Sequence, residues 1–216
     1  MIKNKYKRYE LEAAVMLYLK ALNTADTRQE YQFFQEIQSE SGFLNPYHGI
    51  SYSDFVHQAV PERIDASRGI GVAEGLVPDT YFFLWEDTQI VGLFKIRHYL
   101  NDFLKKDWGH LAYAILPEYR GRGYGTKGLA LAVEVCKGLL PPGEDKIYLS
   151  CYLDNTASLR VMLKNGATIH HHNSTDYFTR IKIRWKSRSH WSEPKKLDKR
   201  IKSSSFEGLL PVNSRR

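Results

Sequence analysis

The chain has 216 residues, 43% of them hydrophobic and 25% charged, enough to bury one sizeable core, so one domain with a short tail is the expected organisation. Its net charge of +7 is unevenly placed: residues 186–216 hold nine Lys/Arg against three Asp/Glu, and the first 185 residues are close to neutral, so the basic balance describes a tail rather than a nucleic-acid-binding body. Two cysteines offer no disulfide framework, and neither an export signal nor a run of 18 apolar residues occurs; a cytoplasmic setting without membrane contact is expected.

In chain order, residues 1–12 read as an N-terminal extension and 13–21 as a first strand, with Val15, Leu17 and Leu19 alternating against Met16 and Tyr18. Thr27-x-x-Glu30 has the form of a capping box, and Phe33, Phe34 and Ile37 give the helix after it one apolar face. Ser41 to Ile50 is a loop, and a second helix begins near Ser53 with Phe55, Val56, Ala59 and Val60 on one side. Pro61 should end or kink that helix, because proline lacks the amide hydrogen the ladder needs.

Residues 81–85 and 89–98 flank Glu86-Asp87-Thr88 as a hairpin, and a second hairpin runs through 99–108 into a strand beginning at Gly109. If that loop closes symmetrically, His98 stands opposite His110 on one face of the sheet. The apolar run from His110 to Leu116 is long enough for a buried strand. A helix follows, on which Leu129, Ala132, Val133, Cys136, Leu139 and Leu140 recur at helical spacing until Pro141-Pro142-Gly143 stops it. A strand over 146–153, a helix over 155–165 and a strand pair turning at 173–176 complete the body. His170, His171 and His172 should alternate between strand faces, and His98 with His110 lacks a third ligand at suitable spacing, so no metal site is expected.

Between the 110–116 strand and its helix lies Arg120-Gly121-Arg122-Gly123-Tyr124-Gly125-Thr126. Glycine lets a ligand approach the backbone, and the first amides of a helix lack internal acceptors and carry the positive end of the dipole, which together favour phosphate. Gly123-Tyr-Gly125-Thr-Lys-Gly128 fits a dinucleotide pattern, but six residues separate it from the strand and the acids Glu144 and Asp145 precede the next strand rather than follow it. A Walker A run is absent from the sequence. A tight strand-to-helix turn without a ligand is the remaining alternative.

Arg120-x-x-Gly123-x-Gly125 resembles the signature of the GNAT superfamily of acyl-CoA-dependent N-acyltransferases, and Asp154-Asn155-Thr-Ala-Ser158 through Asn165-Gly166 is similar to the helix that follows in that family. Arg97-His98, Leu100-Asn101 and Gly109-His110 resemble a subgroup of predicted acetyltransferases within it. The likeness spans about residues 13–185. It implies an α/β fold with a mixed, mostly antiparallel sheet, helices on both faces and a splay between two parallel strands. It also implies acetyl-CoA as cosubstrate and no metal.

On that resemblance, the amides of Gly121, Arg122, Gly123, Tyr124, Gly125 and Thr126 hold the pyrophosphate, with Arg120, Arg122 and Lys127 adding charge. The backbone of Ile115 and Leu116 meets the pantetheine, an N–H near Leu116 polarises the thioester carbonyl, and Asn155 and Ser158 meet the thiol end. His110 is expected as the base, with His98 positioning it, and Arg97 and Asn101 as acceptor-binding residues. The family's tyrosine acid would fall at Met162, which cannot donate a proton. The acceptor is an amine of a small molecule or peptide, and a homodimer is in keeping with the family. The alternative function is a non-catalytic acyl-CoA-binding module whose basic tail, 186–216, contacts nucleic acid or a protein.

Overall fold

A computed structural model describes residues 16–183; the expectations for the N-terminal extension, the start of the first strand and the basic tail lie outside the described residues. Four strands form an antiparallel sheet in the order β1-β2-β3-β4: β1 Leu17–Ala21, β2 Asp79–Glu86, β3 Gln89–Arg97 and β4 Leu111–Ile115. Three more, β5 Lys146–Tyr152, β6 Thr168–His172 and β7 Asp176–Lys182, form a second antiparallel sheet in the order β5-β7-β6.

The two faces of the larger sheet bury different helices, as the period of two along its strands requires. On one face Leu84, Phe94 and Ile96 pack with Leu129, Ala132 and Cys136 of α5, Tyr124–Leu139. The other face carries Phe83, Trp85 and Leu93 against Phe33 and Phe34 of α1, Thr27–Glu36, and Phe55 and Val60 of the second helical segment. That segment runs from α2, Tyr52–Asp54, through a π-helical turn at Phe55–Ala59 into α3, Val60–Ser67. Pro61 therefore neither ends the helix nor stands in a regular α ladder, because the wide turn before it shifts the hydrogen-bonding frame at the point where its amide is missing. The capping box is replaced as well: Glu30 Oε1 accepts from the Asn23 amide at 3.1 Å, while Asn23 Oδ1 accepts from Ala25 and Asp26.

The loop from β3 to β4 contains a short helix, α4, Asp102–Lys106, capped by Asn101, whose Oδ1 accepts from the Leu104 amide at 2.9 Å. It closes asymmetrically, so β3 and β4 pair one residue out of the expected register, Ile96 with Leu111 and Lys95 with Ala112. A one-residue slip reverses every side chain. Arg97, whose amide donates to the His110 carbonyl, is consequently the residue opposite His110, and His98 lies on the other face. In β6 a bulge between Ile169 and His171 breaks the expected alternation, and His171 stacks on Phe178 with ring centroids 4.4 Å apart.

The two sheets touch where β4 begins. His110 N–H donates to the Tyr148 carbonyl at 2.7 Å, and the Tyr148 amide donates back to His110 Nδ1 at 3.0 Å. The imidazole thus occupies the place of a ladder carbonyl. Gly109 sits at φ +64°, where a Cβ would collide with the Tyr148 carbonyl, so glycine is required on both counts. Beyond this junction no ladder joins β4 to β5 among the described residues, and the strands part to leave a groove.

Candidate active site

The groove has two arms. The first, a cleft of about 490 Å³, is lined by Ile115 of β4, by Gly121, Gly123 and Gly125, and by Ser158 and Val161 of α6, Thr156–Lys164. Its lining includes three glycines of the strand-to-helix turn. Gly123 is the N-cap of α5 at φ +85° and makes no side-chain cap bond, and a Cβ at Gly121 or Gly123 would stand in open space. The amides of residues 121–126 find no acceptor among the described residues, which is the arrangement that binds an anionic group at a helix start. Gly125 serves packing as well, since a Cβ there would press on Val161 of α6 at 3.3 Å. Gly128 lies under the Phe94 ring, so the third glycine of the dinucleotide-like pattern belongs to helix–sheet packing.

Ladder alternation decides which main-chain groups face the splay. Leu116 N–H donates to the Val91 carbonyl at 3.0 Å and Arg97 N–H to His110, so even-numbered residues of β4 pair with β3 while Leu111, Tyr113 and Ile115 turn their amides toward β5. By the same rule Ser150 and Tyr152 of β5 face the groove, as Ile183 pairs with Asp145 on the far side.

The second arm, about 400 Å³, is walled by side chains from many segments: Phe43 from the loop after α1, Lys95 and Arg97 from β3, Trp108 before β4, and Tyr152 and Phe178 from the smaller sheet. Asp107 and Asp176 also line it. The arms share Ser41, Phe43, Tyr113, Asn155 and Ser158. At that junction the Tyr113 hydroxyl is 2.8 Å from Ser158 Oγ, and burial pushes its pKa up, keeping the phenol protonated. Asn155 Oδ1 accepts from the Ser158 amide at 3.0 Å, which caps α6 and fixes both side chains at the junction. Cys151 lines the second arm, but burial raises its thiol to about 11, so it is a poor nucleophile.

The family model for GNAT acetyltransferases matches residues 43–167, more than half of the chain. The chain belongs to the acetyltransferase (GNAT) family. By family it is an acetyl-CoA-dependent N-acyltransferase. Among solved structures it resembles RimL, a ribosomal L7/L12 α-N-protein acetyltransferase in complex with coenzyme A, at 14% identity and TM-score 0.56, over 77% of this chain and 94% of that one. A chimera of the spermidine N-acetyltransferase SpeG from Vibrio cholerae and hSSAT aligns at 16% identity and TM-score 0.52, over 77% and 95%. The GNAT domain of S. lividans PAT aligns at 11% and 0.53, over 76% and 89%. At such identities the likeness speaks to the fold. No curated protein matches the chain.

Within this GNAT domain, several expected site residues stand elsewhere than their expected roles require. His110 is fully buried and absent from both arms; burial, then the charges of Arg97, Lys105 and Arg180, lower its pKa to about 3, and Nδ1 is occupied by Tyr148. Burial thus disfavours its protonated form, and it lines neither arm of the groove. His98 Nε2 meets Thr80 Oγ1 at 2.8 Å on the opposite face, so it positions neither His110 nor an acceptor. Asn101 is a helix cap whose amide donates to the Gly75 carbonyl, outside both arms. The Leu116 amide is committed to β3, and the Ile115 carbonyl accepts from Arg120 Nε at 2.9 Å. Arg120 itself is ion-paired with Glu40, and Arg122 lies over the Tyr119 ring at 5.8 Å. Neither Arg122 nor Lys127 lines the first arm; Arg160 and Lys164 of α6 do. Arg97 lines the second arm, and Asn155 and Ser158 line both. Met162 is buried, with Thr179 Oγ1 3.3 Å from its sulfur, so that position belongs to the core. Sequence reasoning missed Tyr113; its signal was the alternation that puts it beside Leu111 and Ile115, in the strand leading into the glycines. Among the described residues there is no cluster that could hold a metal ion and no helix long and apolar enough to cross a membrane.

Proposed function

We propose that this GNAT domain transfers the acetyl group of acetyl-CoA to a primary amine by direct attack, with cosubstrate in the first arm and acceptor in the second. The observation that carries the reading is the convergence of the two arms on Tyr113, Asn155 and Ser158. A pyrophosphate suits the first arm because the amides at 121–126 have no acceptor among the described residues and the space at Gly121 and Gly123 is open. Arg160 and Lys164 supply charge along its rim. When bound, acetyl-CoA supplies an activated thioester; the chain supplies alignment and hydrogen bonds.

The amides of Tyr113 and Ile115 that face the splay are the donors available to a thioester carbonyl in place of the Leu116 amide. The Tyr113 hydroxyl, 2.8 Å from Ser158 Oγ, can donate a hydrogen bond to the departing thiolate, which takes its proton from solvent. For the amine, Asp107 and Asp176 line the acceptor arm and can take its proton directly or through water. A raised Cys151 pKa speaks against an acyl-enzyme on that thiol.

The test follows CoA release with a panel of primary amines. Activity with at least one amine is expected, and Tyr113→Phe should lower kcat by about 10²-fold, the loss of one hydrogen bond to a charged group, with acetyl-CoA binding unchanged. A Tyr113→Phe enzyme with normal kcat would remove the hydroxyl from the chemistry.

A further inference from the structure

The acceptor arm is lined by Lys95 and Arg97 of β3 and, from other segments, by Asp107 and Asp176. On the face of β2 and β3 beside it, Lys95, Arg97 and Arg63 of α3 stand around Asp79. Asp79 is ion-paired to Arg63 and to Lys95 Nζ, the latter at 3.0 Å. Arg97 stands opposite Asp79 in the register yet has no carboxylate within 4.0 Å among the described residues. Its Nη1 donates to the Gly109 carbonyl at 2.9 Å, and its guanidinium lies over the Trp108 ring at 5.4 Å. Arg97 is only 6% exposed, and both it and Lys95 line the cavity. A guanidinium stays charged, and a buried charge without a partner is costly. Here the place open to a partner is the cavity itself.

We propose that the acceptor carries an oxyanion, a carboxylate or a phosphate, on the same small molecule as its amine, and that Arg97 with Lys95 selects it. This deepens the acetyl-transfer reading and rests on it. Lys95, Arg97 and the junction residues Tyr113 and Ser158 line one cavity, so a single small molecule carrying both groups, such as an amino acid or a phosphorylated amino alcohol, can meet them together. Phe43, Trp108 and Phe178 give the rest of such a molecule an apolar wall.

Acceptors differing in the oxyanion alone test this: phenylalanine against phenethylamine, and phosphoethanolamine against ethanolamine, with spermidine as the polycationic control. The expected result is that the anionic member of at least one pair has a kcat/KM at least about tenfold higher, and that Arg97→Met removes the preference while the thermal shift given by acetyl-CoA stays. The carboxylate and phosphate pairs distinguish the two oxyanions. Equal or better use of the uncharged amines or spermidine, or a preference that survives in Arg97→Met, overturns the proposal. Because Arg97 also holds Gly109, Lys95→Met is made in parallel, and a folded Lys95→Met enzyme must show a reduced preference. Thermal shifts with phenylalanine and phosphoethanolamine alone separate this idea from the transfer reading. Stabilisation of the wild type and not of the variants, with no amine acetylated, keeps the oxyanion site and sinks acetyl transfer; neither stabilisation nor preference sinks the oxyanion site.

Discussion

The two arms of the groove are built from different material. The first is shaped by main chain: glycines at positive φ, the free amides of a helix start and strand edges released by the splay. The second is lined by side chains from several segments, from the 41–44 loop to β7. A main-chain site tolerates change in its side chains but not in its glycines, while a side-chain site is remade by single substitutions. That difference accounts for a family keeping one cosubstrate while its acceptors vary.

The junction between the two sheets should be the most sensitive point. Gly109→Ala would force a Cβ into the Tyr148 carbonyl at a φ of +64°, and a loss of about 4 kcal/mol is expected in urea unfolding. A loss below about 1 kcal/mol would mean that the strands can part further without cost. Next comes Gly123→Val, which strains the α5 N-cap and fills the space its amides address. Saturation of the wild type with acetyl-CoA at a hundred times its dissociation constant should add about 2.7 kcal/mol of stability, and the variant should show none of it. If the variant is still stabilised, the main-chain account of the first arm is broken.

His110 sharpens the comparison because it is a side chain acting as main chain. Its folded pKa, about 3, lies below the unfolded value near 6.5, with burial as the first cause. The unfolded chain therefore binds more protons between those values, and stability falls as pH drops through that window. His110→Asn keeps an acceptor for the Tyr148 amide and does not titrate. Relative to its own stability at pH 7.5, it should retain about 2 kcal/mol more than the wild type at pH 5 in denaturant titrations; parallel profiles would show that His110 does not govern acid lability. Glu30, held near 8 by burial, acts in the opposite sense, with stability lost as pH rises from about 4.5 to 8, and it is common to both proteins. The smallest effect is expected at Arg160→Ala on the rim of the first arm, where an exposed charge contributes about 1 kcal/mol or less to cosubstrate binding. A hundredfold loss there would make the first arm a side-chain site after all.

The sequence by itself located the strands, the longer helices and the glycine turn before α5. The β4–glycine–α5 run and the Asn155-capped α6 are contiguous, and main-chain geometry depends on residue type close by: glycine where φ is positive, an Asn oxygen where a helix amide needs a partner. Gly109-His110 was singled out for a subgroup resemblance and for base chemistry, whereas its closing of two sheets depends on Tyr148 of another strand. The one-residue register between β3 and β4 was set by the short helix α4 in their loop, and it moved His98 away and brought Arg97 opposite His110. Only tertiary structure decided the acceptor arm, because Phe43, Lys95, Trp108, Tyr113 and Phe178 have no fixed spacing along the chain. The side chains of such a site meet through packing and register, and a shift of one residue in either exchanges the whole set of side chains that reach the groove.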